Sequence, residues 1–189
     1  MRKLSIFTAM AFLTFLSANS QDFAFGVKGG INVASVGGNA YAGIGGLSSF
    51  GSKISFHAGG VVEIPISEKI AVQPELLYSS QGSNWAINSS GNNLKLDYVN
   101  LPIMVKYYVI KGLSAEAGPL AGFLLSTNAN KEDFKSLDIA IGIGASYKIG
   151  DNLFVGIRYN KGIININEDS DFNGTNQNNV FQVSAGYTF

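Results

Sequence analysis

The chain of 189 residues has no cysteine, one histidine, one tryptophan and four prolines. Without cysteine it can form no disulfide, no thiolate metal site and no thiol nucleophile, and it offers no cysteine for lipid attachment. Its formal net charge is +0, and no basic cluster stands outside the first residues. A protein that tracks nucleic-acid phosphates needs such a cluster. We therefore expect no nucleic-acid partner.

A long uninterrupted apolar run is also missing. The apolar run at 4–16 is shorter than the roughly 20 residues that a membrane-spanning helix needs. It follows two basic residues and precedes small residues around Ser20, which is the order of a cleaved secretory signal. We predict a signal peptide at residues 1–20 and one mature domain at 21–189. Removing these two basic residues with the signal leaves 11 of the 13 lysines and arginines and all 13 acidic residues. The mature domain is therefore slightly acidic.

Apolar and polar residues alternate with period two through nearly all of the mature domain, and no helical spacing of apolar residues is sustained. This alternation is typical of β-strands that have two different faces. We predict eight strands, at about residues 23–36, 53–66, 70–82, 94–110, 113–127, 136–149, 153–166 and 178–189. The predicted fold class is all-β, an eight-stranded antiparallel up-and-down transmembrane β-barrel.

The segments between the predicted strands alternate in length. The short turns lie at 67–69, 111–112 and 150–152. The longer segments, which are polar or rich in glycine, lie at 37–52, 83–93, 128–135 and 167–177. In bacterial outer-membrane barrels the short turns face the periplasm and the long loops face outward. We therefore expect a Gram-negative outer-membrane location with both termini in the periplasm.

The two faces of the predicted strands differ in chemistry. One face is apolar, as at Val99, Leu101, Ile103 and Val105, and the other is polar and holds many glycines that leave room for long side chains. The polar face contains a candidate interior charge network of four acids, four bases and the histidine: Lys28, His57, Glu63, Glu75, Lys106, Glu116, Asp138, Lys148 and Arg158. An eight-stranded barrel is just wide enough for side chains to fill. We expect a packed, charge-paired interior and not a wide pore.

Alternation alone does not decide which face is inside. In a soluble lipocalin-like barrel the apolar face would line a ligand cavity. The aromatic residues of the apolar face fall into two groups near opposite strand ends, for example Tyr107 and Tyr187 at one end and Phe56 and Phe181 at the other. Membrane barrels have such aromatic girdles at both interfaces, on the lipid-facing side. The girdles favour contact between the apolar face and outer-membrane lipid.

Two prolines conflict with the predicted strands. Pro102 and Pro119 fall in strand middles. Proline cannot donate to a ladder of hydrogen bonds. We therefore expect a bulge or a strand interruption at each of them.

The single histidine is a candidate for catalysis. Ser55 precedes His57 by two residues and shares its strand face, so the two could form the hydrolase pair of an outer-membrane lipid-modifying enzyme. Both side chains are expected to point into the barrel, away from lipid, which favours a structural histidine. Interior carboxylates such as Glu63 and Glu75 could do acid–base work, but the matching number of bases favours ion pairing. We assign no catalytic residue and no cofactor.

The last long segment contains part of a metal-binding pattern. Asp169, Asp171 and Gly174 have the spacing of the first half of a calcium-binding loop. The glutamate that closes such a loop is replaced by Val180. We interpret the segment as an acidic, hydrated turn and predict no metal site.

The chain resembles the PorT-like family of outer-membrane β-barrel proteins over essentially the whole mature domain. The resemblance is carried by FGVKGGIN at 25–32, DYVNLPI at 97–103 and AEAGP at 115–119. The ending Val183–Phe189 is similar to the terminal strand by which the barrel-assembly machinery recognises its clients, and this implies Tyr187 and Phe189 as the barrel-assembly signal. The resemblance implies an outer-membrane barrel, and some family members are associated with protein secretion and gliding.

We expect a non-enzymatic outer-membrane protein with a structural or surface-interaction role. Its expected partners are outer-membrane lipid, the barrel-assembly machinery during biogenesis, and a protein bound through the loops 37–52 and 167–177. Three alternatives stay open. They are an accessory component of secretion or gliding machinery, an outer-membrane lipid-modifying enzyme, and a soluble lipocalin-like ligand-binding barrel.

Overall fold

The structure, a computed structural model, describes residues 23–38, 51–85, 92–168 and 175–189. The strands within these ranges are β1 Ala24–Gly38, β2 Gly51–Pro65, β3 Ile70–Trp85, β4 Asn92–Ile110, β5 Leu113–Thr127, β6 Leu137–Ile149, β7 Leu153–Gly162 and β8 Asn176–Thr188. Each strand pairs antiparallel with its neighbours in the chain, and β1 pairs with β8, so the sheet closes on itself. The predicted all-β, eight-stranded barrel is confirmed. The predicted signal peptide lies outside the described residues.

The register of the strands shows how strongly they are staggered. We start at Val33 of β1 and move each time to the paired residue on the next strand around the barrel. The residues reached in turn are Phe181, Tyr159, Ile143, Ala117, Val105, Val72 and Ile64. On the last pair of strands, Glu63 of β2 pairs with Ala24 of β1, so Ile64 lies opposite Phe23. One full circuit of the barrel therefore ends at Phe23, ten residues from Val33. Such a stagger goes with strands tilted about 35–45° from the barrel axis. Residues far apart in the chain thereby reach the same height in the barrel.

The outward face of the barrel is apolar. Ile54, Phe56 and Ile143 expose 74%, 56% and 58% of their surface. On β8, Phe181 and Tyr187 both face outward and are six residues apart, which is roughly 20 Å along a strand. A lipocalin-like barrel would turn such residues toward a central cavity. The structure has the opposite arrangement.

The expectation that Pro102 and Pro119 cause a bulge or an interruption is wrong. β4 and β5 run unbroken through them, and no register shift falls at either proline. Pro102 pairs with Leu120 of β5, and Pro119 pairs with Ile141 of β6, while the opposite neighbour strand shows no pair at either proline. A residue in an antiparallel sheet directs its N–H toward one neighbour, so a proline loses one bond and leaves the other ladder intact.

The two ends of the barrel differ. The end that carries the tight turns is called the turn end here, and its turns lie at 66–69, 111–112 and 150–152. Gly112 and Gly150 have φ angles of 84° and 68°, which residues with a side chain rarely adopt. The opposite end is called the loop end. It carries the short 3-10 helix Lys131–Asp133 and the segment 163–168. Within the described residues, no helix is long and apolar enough to cross a membrane.

Substituting an outward residue tests whether this face contacts lipid. Ile143→Arg, at mid-height of β6, should lower the free energy of unfolding by about 2–4 kcal/mol, as arginine does near the midplane of a bilayer. The measurement is urea unfolding of protein folded in lipid vesicles. Ala129→Arg, at an exposed position of the loop end, is the matched control and should have little effect. Small and equal effects of both substitutions would contradict lipid contact.

Candidate functional site

Side chains fill the barrel interior in three levels, which β1 crosses in turn. Its buried residues Lys28, Asn32 and Val36 are four residues apart and run from the turn end toward the loop end. Lys28 belongs to a charged tier, Asn32 to an amide tier, and Val36 to an apolar cap. The interior therefore changes from charged to polar to apolar along the barrel.

The charged tier begins at Glu63, which binds two lysines. Lys106 Nζ lies 2.8 Å from Glu63 Oε2, and Lys148 Nζ lies 2.7 Å from Glu63 Oε1. The Tyr108 hydroxyl donates to Glu63 Oε1 at 2.6 Å. Lys106 also donates to Gln73 Oε1 at 3.1 Å. This carboxylate thus accepts three charge-assisted or short hydrogen bonds, which offset the cost of removing it from water.

Glu75 is the second centre of the charged tier. Arg158 holds it in a two-point contact, with Nη1 2.9 Å from Oε2 and Nη2 2.7 Å from Oε1. The Nε of Arg158 donates to Glu116 at 2.7 Å, and Lys28 lies 3.3 Å from Glu75. Gln73 donates to Glu75 at 2.7 Å and so joins the two centres. The charged tier is one connected network.

Glycines in β6 make room for these long side chains. A Cβ atom on Gly142 would lie 2.7 Å from Asn160 Oδ1 and 3.5 Å from Arg158 Cδ. A Cβ atom on Gly144 would lie 3.1 Å from Glu116 Oε1. A larger residue at Gly142 would press on Asn160, and one at Gly144 would clash with the backbone carbonyl of Ile157 and crowd Glu116.

His57 lies in the amide tier and does not pair with Ser55. The Ser55 hydroxyl donates to the backbone carbonyl of Ser80 at 2.6 Å. His57 Nε2 lies 2.9 Å from Ser184 Oγ, and Nδ1 lies 2.8 Å from Asn32 Oδ1. The Ser55–His57 pair, which the sequence offered as a candidate and the expected inward orientation disfavoured, does not form. The partners of His57 come from β8 and β1, which meet where the barrel closes.

The neighbours of Asn32 determine which ring nitrogen of His57 carries the proton. Asn32 Nδ2 donates to two backbone carbonyls, those of Phe56 at 3.1 Å and Ser80 at 2.8 Å. Its Oδ1 must then accept, both from Gln182 Nε2 at 2.9 Å and from His57 Nδ1–H. His57 Nε2 is left to accept the Ser184 hydroxyl proton.

The order serine, histidine, asparagine is that of a hydrolase triad, with a hydroxyl, a base and a group that orients the base. Ser184, His57 and Asn32 are 5%, 1% and 0% exposed, however, and all three point into the filled interior. A lipid ester outside the barrel would have to cross the strand wall to reach the hydroxyl. The geometry therefore favours a structural histidine.

An apolar cap, which the sequence reading missed, closes the loop end. It consists of Val36, Leu94, Leu96, Tyr98, Leu124 and Ile166, with Phe134 packed against them. Lys135 N–H donates to the Ile166 carbonyl at 2.8 Å, and Glu168 N–H donates to the Asp133 carbonyl at 3.0 Å. β7 was expected to reach residue 166 and ends at Gly162, because the segment after it turns to join this cap.

All nine residues of the predicted charge network are at least partly buried inside the barrel, and the structure brings eight of them into or beside the charged tier: Lys28, His57, Glu63, Glu75, Lys106, Glu116, Lys148 and Arg158. The ninth, Asp138, lies nearer the loop end, where Asn178 Nδ2 donates to its Oδ2 at 2.9 Å. The expected pairing of four acids with four bases is uneven. Glu63 contacts two lysines, and Asp138 contacts no cation among the described residues.

The last two aromatic residues lie on the outward face at the turn end. Tyr187 and Phe189 are 43% and 76% exposed, and their ring centres are 5.7 Å apart. Phe189 N–H donates to the Phe25 carbonyl at 2.7 Å, which ties the C terminus to β1. The calcium-like sequence 169–174 and most of the loop 37–52 lie outside the described residues.

Comparisons with known proteins agree with this architecture. Residues 18–168 match the sequence profile of a family described as outer membrane protein beta-barrel domain. The fold is similar to that of Ail, the attachment invasion locus protein of Yersinia pestis, at 11% identity and a TM-score of 0.53, covering 89% of this chain and 99% of that one. It is also similar to Neisserial surface protein A, at 13% identity and a TM-score of 0.53, covering 87% and 97%. At these identities the likeness shows the fold alone. No curated protein sequence matches the chain.

Removing the arginine of the charged tier should strongly destabilise the barrel. Arg158→Met leaves Glu75 and Glu116 buried without their shared guanidinium, which should cost about 3–5 kcal/mol of unfolding free energy. Urea unfolding in lipid vesicles measures the change. Lys111→Met is the matched control, because Lys111 is exposed in a turn and forms no salt bridge within the described residues, so its loss should have little effect. Equal losses in the two variants would contradict a central role for Arg158.

Proposed function

Because the chain belongs to the family of outer-membrane protein β-barrel domains, we propose that it is a non-enzymatic outer-membrane protein whose loop end makes contacts at the cell surface. Both termini lie in the periplasm in this proposal. The barrel serves as a rigid anchor, with a packed interior in place of a wide pore. Its partners are outer-membrane lipid around the barrel, the barrel-assembly machinery during biogenesis, and a protein at the loop end.

The filled interior is the observation that carries this proposal. The charged tier crosses the barrel from Glu63 to Glu116 through side chains in direct contact. Above it, the apolar cap covers the loop end with residues such as Leu96 and Ile166, which are 0% and 1% exposed. A solute would have to break ion pairs and then displace this cap. An anchoring role needs neither step.

The orientation rests on the difference between the two ends. The tight turns and both described chain ends lie at the turn end, and the longer connections lie at the loop end. Bacterial outer-membrane barrels place short turns in the periplasm and longer segments outside. The loop end, including the parts of 37–52 and 167–177 near the strands, is accordingly the proposed contact surface.

A finer assignment, to PorT-like proteins, is part of the proposal as well. It is supported by the segments at 25–32, 97–103 and 115–119, which contribute Lys28, Asn100 and Glu116 to the interior. An accessory role in protein secretion or gliding would follow from this assignment. Such a role would also use the loop end or the turn end for contacts, and it needs no catalytic residue.

A lipid-modifying enzyme is the second candidate function, and the contact of His57 with Ser184 and Asn32 is the observation that favours it. Catalysis would require the Ser184 hydroxyl to meet a lipid. Since Ser184 is 5% exposed and faces the interior, the strands would have to separate first. We therefore rank this candidate below the anchoring role.

Labelling of single cysteines tests the orientation, since the chain has no cysteine of its own. Ala129→Cys lies at the loop end and Asp151→Cys at the turn end, and both positions are exposed. A membrane-impermeant maleimide added to intact cells should label the first variant and spare the second. After the outer membrane is permeabilised, both should react. The reverse pattern on intact cells would overturn the proposed orientation.

Replacing the histidine separates a structural role from a catalytic one. His57→Ala removes one of the two donors to Asn32 Oδ1 and leaves the Ser184 hydroxyl without a partner, so it should cost about 1–3 kcal/mol of stability. Envelope lipids from a deletion strain, complemented with the wild type, His57→Ala or Ser184→Ala, are compared by mass spectrometry. We expect identical lipids in all three. A modification lost in both variants would establish the enzymatic alternative.

A further inference from the structure

Asp138 is unlike the other interior acids. Glu63, Glu75 and Glu116 each lie within 3.5 Å of a lysine or arginine nitrogen, whereas no salt bridge of the described residues includes Asp138. The side chain is nevertheless buried, with 4% of the residue exposed. Its Oδ2 accepts one hydrogen bond from Asn178, and its Oδ1 has no partner within the described part of the chain.

Two amide oxygens beside Asp138 are also without partners. Asn178 Nδ2 donates to Asp138 and to the Tyr98 hydroxyl at 3.2 Å, so its Oδ1 is the atom left over. Asn100 Oδ1 likewise has no donor in the described residues. Asn100 and Asn178 are 2% and 3% exposed, so bulk water does not reach these oxygens. Leaving three buried acceptors unpaired is costly.

These groups converge on one stretch of the barrel wall. Asn100, Gly122 and Asp138 are direct partners across β4, β5 and β6. A Cβ atom on Gly122 would lie 2.7 Å from Asn100 Oδ1, 3.4 Å from a Tyr98 ring carbon and 3.6 Å from Asp138 Cβ. The glycine therefore lets the asparagine oxygen lie against the wall beside the carboxylate. The hydrogen bond from Asn178 completes the group.

The charge of this group selects the kind of ligand. It contains one carboxylate, while Lys28 and Arg158 of the nearby charged tier are balanced by Glu75 and Glu116. Oxygen ligands of the carboxylate and amide type suit hard cations. Within this group, a divalent ion would leave one positive charge without a counter-charge among its own ligands, whereas a monovalent ion would leave none.

We propose that Asp138 Oδ1, Asn100 Oδ1 and Asn178 Oδ1 bind a sodium ion inside the barrel, beneath the apolar cap. Two of these three ligands are amides. The described residues contain no cluster of three or more acids, histidines or cysteines that could hold a metal ion, so the amides are essential to this site. The site is separate from the loop-end contacts of the proposed function.

Thermal unfolding of the folded barrel in detergent tests the proposal. The mature protein is prepared without sodium and titrated with sodium chloride against choline chloride at constant ionic strength, at slightly alkaline pH. Sodium at about ten times its dissociation constant should raise the unfolding midpoint by about 3–6 °C. Asp138→Asn should abolish this rise. An unchanged midpoint in the wild type would overturn the proposal and leave a proton and water as the partners of the three oxygens.

Two further variants show whether the effect belongs to this site. Asp97→Asn removes another buried carboxylate, one that Lys95 already neutralises at 2.9 Å, and it should keep the full response to sodium. Gly122→Ala keeps the charge of Asp138 and displaces the Asn100 oxygen, so it should weaken the apparent sodium affinity severalfold. A response lost in Asp97→Asn, or unaltered in Gly122→Ala, would overturn the assignment to these ligands.

Discussion

Satisfying the backbone hydrogen bonds of a sheet in lipid is the constraint on which this structure depends. Water is absent from the hydrocarbon layer, so each strand N–H and carbonyl must find its partner within the chain. The pairing of β1 with β8, from Gly26–Thr188 to Gly38–Asn176, removes the two open edges that eight strands would otherwise leave. Closure with this small number of strands also makes the interior narrow. The interior is just wide enough for side chains to fill, so the side chains that point inward determine its chemistry.

Because the outer face is apolar, the long charged side chains of the strands point into the narrow interior. Each charge then needs a partner at close range, because its hydration is lost. Arg158 meets this need by binding Glu75 at two points and Glu116 at a third, and Gly144 leaves space for the Glu116 carboxylate beside it. Such a network contributes less to net stability than its short distances suggest, since desolvation offsets much of the attraction. The network does, however, destabilise any strand register that separates the charged partners.

The faces of the barrel could be predicted from the sequence, because alternation is a local property of a strand. Ile143 and Arg158 are assigned to opposite faces by their position alone. The contacts inside could not be predicted in the same way. His57 and Ser184 are 127 residues apart, and closure together with the stagger of the strands brings them to 2.9 Å. The sequence suggested Ser55 because it is near in the chain, but its side chain bonds to the neighbouring strand.

The interior charges are unevenly distributed, so equal numbers of acids and bases do not mean that each acid has a base as its partner. Glu63 takes two lysines because the ammonium groups of Lys106 and Lys148 both reach it, at 2.8 and 2.7 Å, so no base is left for Asp138 among the described residues. A cap of apolar side chains such as Leu96 then lies between this acid and the loop end. Asp138 therefore lacks both contact with bulk water and a charged partner among the described residues. An interior that neutralises its other acids with fixed side chains leaves this one to a small ion or a proton. A single proton on Asp138 could be donated to only one of the two neighbouring amide oxygens, whereas a bound ion could be shared by both.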